Sequence, residues 1–221
     1  MRTETLSFDT PGGSTTAYVA LPDNPSQKAV IIVQEYWGLV DHIKNIANRY
    51  ADEGFIAVTP DLYRGKVGKN SGEASQLMGG LQVEDGLGII KTAMSVASAK
   101  YGLTHFGITG FCMGGTYALR AACLLEGVSA AAPFYGDIPE ESVLEKLRVP
   151  TIFISGIHDN WINPEKVARL EDVTERYELP INSIKYDADH AFFNDTRPEV
   201  YNEAAAKDAW SLVVGLFNDK L

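Results

Sequence analysis

The run Ala29–Gln34 (AVIIVQ) is apolar up to its last residue, with none of the polar alternation of a half-solvated strand. A strand without a polar face must be covered on both sides, as in a parallel sheet flanked by crossover helices. Similar runs return at Phe55–Thr59 (ended by Pro60), His105–Gly110, Ser129–Tyr135, Thr151–Ser155 and Ile181–Tyr186. Between them the apolar spacing becomes helical, over Val40–Glu53, Val83–Tyr101, a segment beginning near Gly114, Glu140–Leu147, Pro164–Tyr177 and within Pro198–Asn218. Glu4–Asp9 and Thr15–Leu21, around Pro11-Gly12-Gly13, read as an antiparallel hairpin. The pattern predicts an α/β fold with a mostly parallel central sheet, helices on both faces and an N-terminal antiparallel hairpin. Right-handed connections then gather the loops after the strands on one edge. Arg64–Leu81, with five glycines and little periodicity, reads as a long loop, functional or mobile. No Pro/Ser linker divides the chain, so residues 1–221 read as one domain.

Charge and cysteine usage narrow the function classes. Lys and Arg total 19 against 29 for Asp and Glu, a net charge of -10, which argues against nucleic acid or an anionic membrane as partner. No apolar run approaches the roughly 20 residues of a membrane span, and Met1–Thr5 lacks the apolar core of a secretory signal. Cys112 and Cys123, on one turn-plus-helix, are expected about 16 Å apart at a helical rise of about 1.5 Å per residue. A disulfide requires less than about 7 Å, so both are expected as free thiols of a cytoplasmic protein. Nothing in the sequence calls for more than a monomer.

Gly110-Phe111-Cys112-Met113-Gly114-Gly115, between a predicted strand and a predicted helix, has the Gly-x-nucleophile-x-Gly spacing of a nucleophile elbow, with Cys in the usual place of Ser. The sharp turn strains the nucleophile's backbone and leaves room only for glycine two residues to either side. The helix behind it aims N–H groups at the sulfur and is expected to lower the thiol's pKa. Cys123, among Ala121, Ala122 and Leu124, reads as a core residue. An acid and a histidine follow in the order this architecture requires: Asp159 after the strand Thr151–Ser155, and His190 after Ile181–Tyr186. Asp137, after Ser129–Tyr135, is an alternative acid, and His158 a rival histidine. His42 is expected on a helix surface, and Asp187 and Asp189 as solvated turn residues. No His-x-x-x-His or Cys-x-x-Cys spacing points to a metal.

These motifs, with Gln34-Glu35-Tyr36-Trp37-Gly38, Pro60-Asp61-Leu62-Tyr63, Gly156-Ile157-His158-Asp159 and His190-Ala191-Phe192, resemble the dienelactone hydrolase (carboxymethylenebutenolidase) family from about Val30 to the final helix. The resemblance implies an α/β-hydrolase fold that cleaves a small lactone or carboxylic ester without a cofactor or metal. It implies a catalytic triad of Cys112, His190 and Asp159, with Glu35 helping to activate the thiol. It also implies an oxyanion hole formed by the backbone N–H groups of Tyr36 and Met113. The family's namesake binds a substrate carboxylate with arginines. Asn194 stands at one of those positions, and no arginine occurs between Gly65 and Leu119. Trp37, Tyr63, Arg64 and Asn194 are the candidate substrate contacts, with Lys66, Lys69 and Arg197 as other nearby cations and Trp161 as another aromatic. The same triad could serve acyl transfer to an acceptor other than water, and the fold could also persist in a non-catalytic binding protein.

Overall fold

The computed structural model describes residues 1–24 and 26–221. An antiparallel hairpin of β1 (Arg2–Thr10) and β2 (Gly13–Leu21) is followed by β3 (Ala29–Val33), α1 (Asp41–Asp52), β4 (Ile56–Pro60), α2 (Ser71–Gly80) and α3 (Val83–Tyr101). Then come β5 (Phe106–Phe111), α4 (Met113–Leu124), β6 (Val128–Phe134), α5 (Glu141–Leu144), β7 (Thr151–Gly156), α6 (Pro164–Tyr177), β8 (Ile181–Tyr186) and α7 (Glu203–Lys220). The strands form one sheet in the order β1-β2-β4-β3-β5-β6-β7-β8. β2 meets β4 antiparallel, and every pairing from β4 to β8 is parallel.

The apolar run that becomes β3 lies in the middle of this sheet. All five of its residues are 0% exposed. Ala29, Ile31 and Val33 belong to the apolar layer that includes the α3, α4 and α6 side chains, and Val30 and Ile32 to the one that includes those of α1 and α7. The period-two alternation is therefore between two apolar layers, which is why no polar residue marks it. Crossovers run outward in both directions from β3 and β5, so a crevice opens at the carboxyl ends of these neighbours. Their register pairs Val33 with Gly110. Two residues beyond each lie Glu35 and Cys112, which therefore emerge at the same level.

The stretch expected as a loop, Arg64–Leu81, contains a helix. The Asn70 side chain accepts a hydrogen bond from Glu73 N at 3.0 Å, and the Glu73 carboxylate returns to Lys69 N at 2.9 Å. This reciprocal cap starts α2. Ala74 is the helix's one buried residue, so no apolar stripe announces it in the sequence. His42, expected on the helix surface, is also buried, with Nδ1 3.2 Å from Asp195 Oδ1. Among the described residues no helix is long and apolar enough to cross a membrane.

Glycine is obligatory where α4 meets the sheet. A Cβ on Gly114 would lie 2.2 Å from the Val33 carbonyl oxygen and 2.5 Å from that of Gln34, both backbone atoms. Gly88, inside α3, has nothing within 4 Å of its would-be Cβ. Gly114→Ala is expected to destabilise the protein by about 3 kcal/mol or more, the scale of severe core overpacking. Gly88→Ala should stabilise it by up to about 1 kcal/mol through helix propensity. Urea unfolding of both variants tests the contrast, and equal midpoints would contradict it.

Candidate active site

β5 ends at Phe111 and α4 begins at Met113, so Cys112 alone makes the turn, with φ 57° and ψ −119°. A non-glycine residue seldom holds such a conformation, which is worth on the order of 1–3 kcal/mol of strain. The turn is held by Cys112 N donating to Phe134 O at 3.1 Å and Thr116 N donating to Cys112 O at 3.2 Å. The backbone N–H groups of Met113 and Tyr36 face the sulfur. They do not lower the thiol's pKa below its ordinary value, as the helix terminus led one to expect. Burial first, then the Glu35 charge, push Cys112 up to about 12 against the two N–H groups. Burial pushes Cys123 to about 12 as well, so at neutral pH both free cysteines are thiols.

The loops after β7 and β8 bring an acid and a histidine together. His190 Nδ1 lies 2.5 Å from Asp159 Oδ2, while Asp159 Oδ1 accepts from Trp161 N at 2.7 Å and Ile162 N at 2.8 Å. Burial raises the Asp159 pKa, but the His190 hydrogen bond and charge, with the two N–H groups, outweigh it and leave the carboxyl below its ordinary value. The rings of Tyr135 and Trp161 stand edge-on to the imidazole at 5.0 and 5.3 Å. The alternative acid, Asp137, is engaged by Lys166 Nζ at 2.7 Å. The rival histidine, His158, pairs with the exposed Asp187 at the surface. Among the described residues no hydrogen bond joins Cys112 to His190, although both line one cavity of about 340 Å³. Catalytic hydrogen bonds commonly close only around substrate.

Glu35 faces this cavity from the end of β3 and is 2% exposed. Its Oε2 accepts from Asn194 Nδ2 at 2.9 Å, and its Oε1 has no partner. Burial raises its pKa to about 7, against the lowering influence of Asn194, His190 and Arg197. Tyr36, Trp37, Met78, Trp161 and Arg197 complete the walls. Two candidate contacts lie elsewhere. Tyr63 is buried, with its hydroxyl 3.1 Å from Met113 Sδ, and Arg64 turns away into an ion pair with Asp85 at 2.6 Å. Asn194, 3% exposed, contacts Glu35 and lines not this cavity but an adjoining one of about 510 Å³. Met78 and Tyr135 were not among the sequence candidates. The Asn70-x-x-Glu73 cap could have revealed the helix carrying Met78, whereas nothing local marks Tyr135. Among the described residues no group of three His, Cys, Asp or Glu side chains is placed to hold a metal ion.

Comparison with known proteins extends this geometry. Residues 15–221 match the Dienelactone hydrolase family. "Protein usf" of Aquifex pyrophilus is 31% identical over 98% of each chain. A protein of Aquifex aeolicus (strain VF5) named "Putative carboxymethylenebutenolidase" is 32% identical, also over 98% of each. The crystal structure of a "Putative Dienelactone Hydrolase" from Klebsiella pneumoniae subsp. pneumoniae MGH 78578 is similar with a TM-score of 0.89. It is 26% identical and covers 99% of both chains, and it shares the α/β-hydrolase fold.

The Glu35 carboxyl links the site to stability. Its pKa rises from 4.5 to about 7 on folding, so between these values the native state holds more protons than the unfolded one. Stability therefore falls as pH rises through that interval, by on the order of 3 kcal/mol in total. Glu35→Gln should match the wild type near about pH 4 and exceed it by up to ~3 kcal/mol near about pH 8. Urea titrations at both values check this, and a difference independent of pH would contradict it.

Proposed function

The chain belongs to the dienelactone hydrolase family and hydrolyses a lactone or carboxylic ester, and from that premise we propose that it does so through Cys112, His190 and Asp159 by way of an acyl-thioester. The observation that carries this reading is a convergence on one cavity. Cys112 stands on a strained elbow with two N–H groups at its sulfur, opposite an imidazole bonded to a buried carboxylate at 2.5 Å.

The resting thiol is protonated, so attack begins with loss of its proton. Glu35 lines the same cavity with one oxygen unbonded and takes that proton. The sulfur bonds to the substrate carbonyl carbon, and the oxyanion lies against the Met113 and Tyr36 N–H groups, where one such donor is worth about 2.7–4 kcal/mol. The C–O bond then breaks, and the proton taken from sulfur goes to the leaving oxygen. In a lactone that oxygen remains tethered to the acyl group. His190, held by Asp159, removes a proton from water. The hydroxide adds to the thioester, and the acid leaves as the sulfur regains a proton. Every step uses protein groups and water.

The pocket favours a small uncharged acyl group. Its walls are mostly aromatic and apolar, and its one cationic side chain, Arg197, is engaged by Glu199 at 2.9 Å. Asn194, where the namesake's arginine would stand, is committed to Glu35.

Cys112→Ala is expected to fold and to lose at least about a thousandfold in ester turnover, since removing a nucleophile leaves only binding and oxyanion stabilisation. A panel of lactones and esters, with dienelactone set against uncharged short-chain esters, gives the measurement. Retained activity in the alanine variant would refute the nucleophile. A strong preference for the anionic lactone would refute the uncharged pocket.

A further inference from the structure

Asn194 follows the His190 loop, in a turn where its N–H donates to Ala191 O at 2.9 Å. Its side-chain oxygen accepts from Thr196 N at 3.0 Å and from the Thr196 hydroxyl at 2.6 Å. Those two donors fix which end of the amide is oxygen. The NH2 end is thereby directed at Glu35 Oε2, 2.9 Å away. One carboxyl oxygen is tied and the other, Oε1, remains buried and unbonded. The other groups that bear on Glu35 are Cys112 from the elbow, His190 and Arg197 from the loop after β8, Tyr36 from its own segment and Tyr135 from the end of β6.

We propose that Asn194 is the positioning residue of Glu35: its amide pins one carboxyl oxygen, leaves the other without a partner beside the cavity that Cys112 lines, and does so without forming an ion pair. A cation in this place would favour the ionised form of Glu35. The neutral amide gives a hydrogen bond without a full charge, so burial prevails and the carboxyl exchanges its proton near neutrality. A base that both accepts and returns a proton works best when its pKa lies near the operating pH. The inference deepens the reading of Glu35 as the acceptor of the thiol proton and rests on it.

Asn194→Asp is the informative variant. It keeps an oxygen for Thr196 and sets a second carboxyl against Glu35, so the pair shares a proton and the second ionisation moves to higher pH. The kcat/KM profile for an uncharged ester should shift its acid limb upward. The expected loss is about fivefold near pH 7 and less than about twofold near pH 9, a one-unit displacement of a single ionisation. A second reading needs no turnover. The decline of stability with pH that Glu35 imposes should extend to higher pH in Asn194→Asp, and return to that of a single buried carboxyl in the Glu35→Gln/Asn194→Asp double variant. An unshifted limb together with an unshifted stability profile would overturn the positioning role. Activity surviving in Cys112→Ala would overturn the thiol mechanism while leaving the stability shift as expected, so the two failures are distinguishable.

Discussion

The backbone of α4 approaches the carboxyl end of β3 more closely than any side chain would allow, and the site is built on that approach. Gly114 lies against the Val33 and Gln34 carbonyls, and Gly110 lies against the Gly114 carbonyl. With α4 pressed this far in, the residue before it must turn within one position, and Cys112 takes the strained conformation that lifts its sulfur out of the sheet. The same approach brings the Tyr36 and Met113 N–H groups to that sulfur and sets Glu35 in the cavity beside it. A side chain at either glycine would separate the Cys112 sulfur from the two N–H groups and from Glu35 together. The strain is local, and the burial of β5 and α4 on both sides holds it in place.

Three acidic groups stand on this one sheet edge, and their surroundings drive them apart. Asp159 accepts one histidine and two backbone hydrogen bonds, and remains below the ordinary carboxylate range despite its burial. Glu35 accepts a single neutral hydrogen bond, and burial carries it to about 7. Cys112 meets burial and a nearby carboxyl together and rises to about 12. At rest the site therefore holds a thiol beside a carboxyl of raised pKa, with a histidine oriented by Asp159. Such separation of pKa values by environment is how one site holds an acid, a base and a nucleophile in distinct roles.

Much of the architecture was legible because local signals agreed with the tertiary outcome. Val83–Tyr101, Pro164–Tyr177 and Ile181–Tyr186 form over the residues that their periodicity and stop signals indicate. The segment of α2 was not legible, because a helix with one buried residue has no periodic stripe to read and depends on its cap. His42 lies on a helix with an evident apolar face, yet its buried imidazole is paired with Asp195, far along the chain. The candidate substrate contacts divided in the same way. Trp37 follows β3 into the cavity, whereas Tyr63 and Arg64 are drawn to Met113 and Asp85.

By itself the sequence determined the order of the strands and of every helix but α2, the Gly-x-Cys-x-Gly turn, and the order in which Cys112, Asp159 and His190 leave the sheet edge. Each of these depends on neighbours in the chain: glycine spacing, apolar period, a residue's distance from a strand end. Only the tertiary structure decided protonation and partnership. The thiol's pKa is set by burial and by a carboxyl brought in from another strand, not by the helix terminus behind it. Asn194, which in the sequence marks a missing arginine, holds Glu35 across the crevice. Desolvation and through-space charge depend on what the whole chain packs around a group, and no local pattern encodes that.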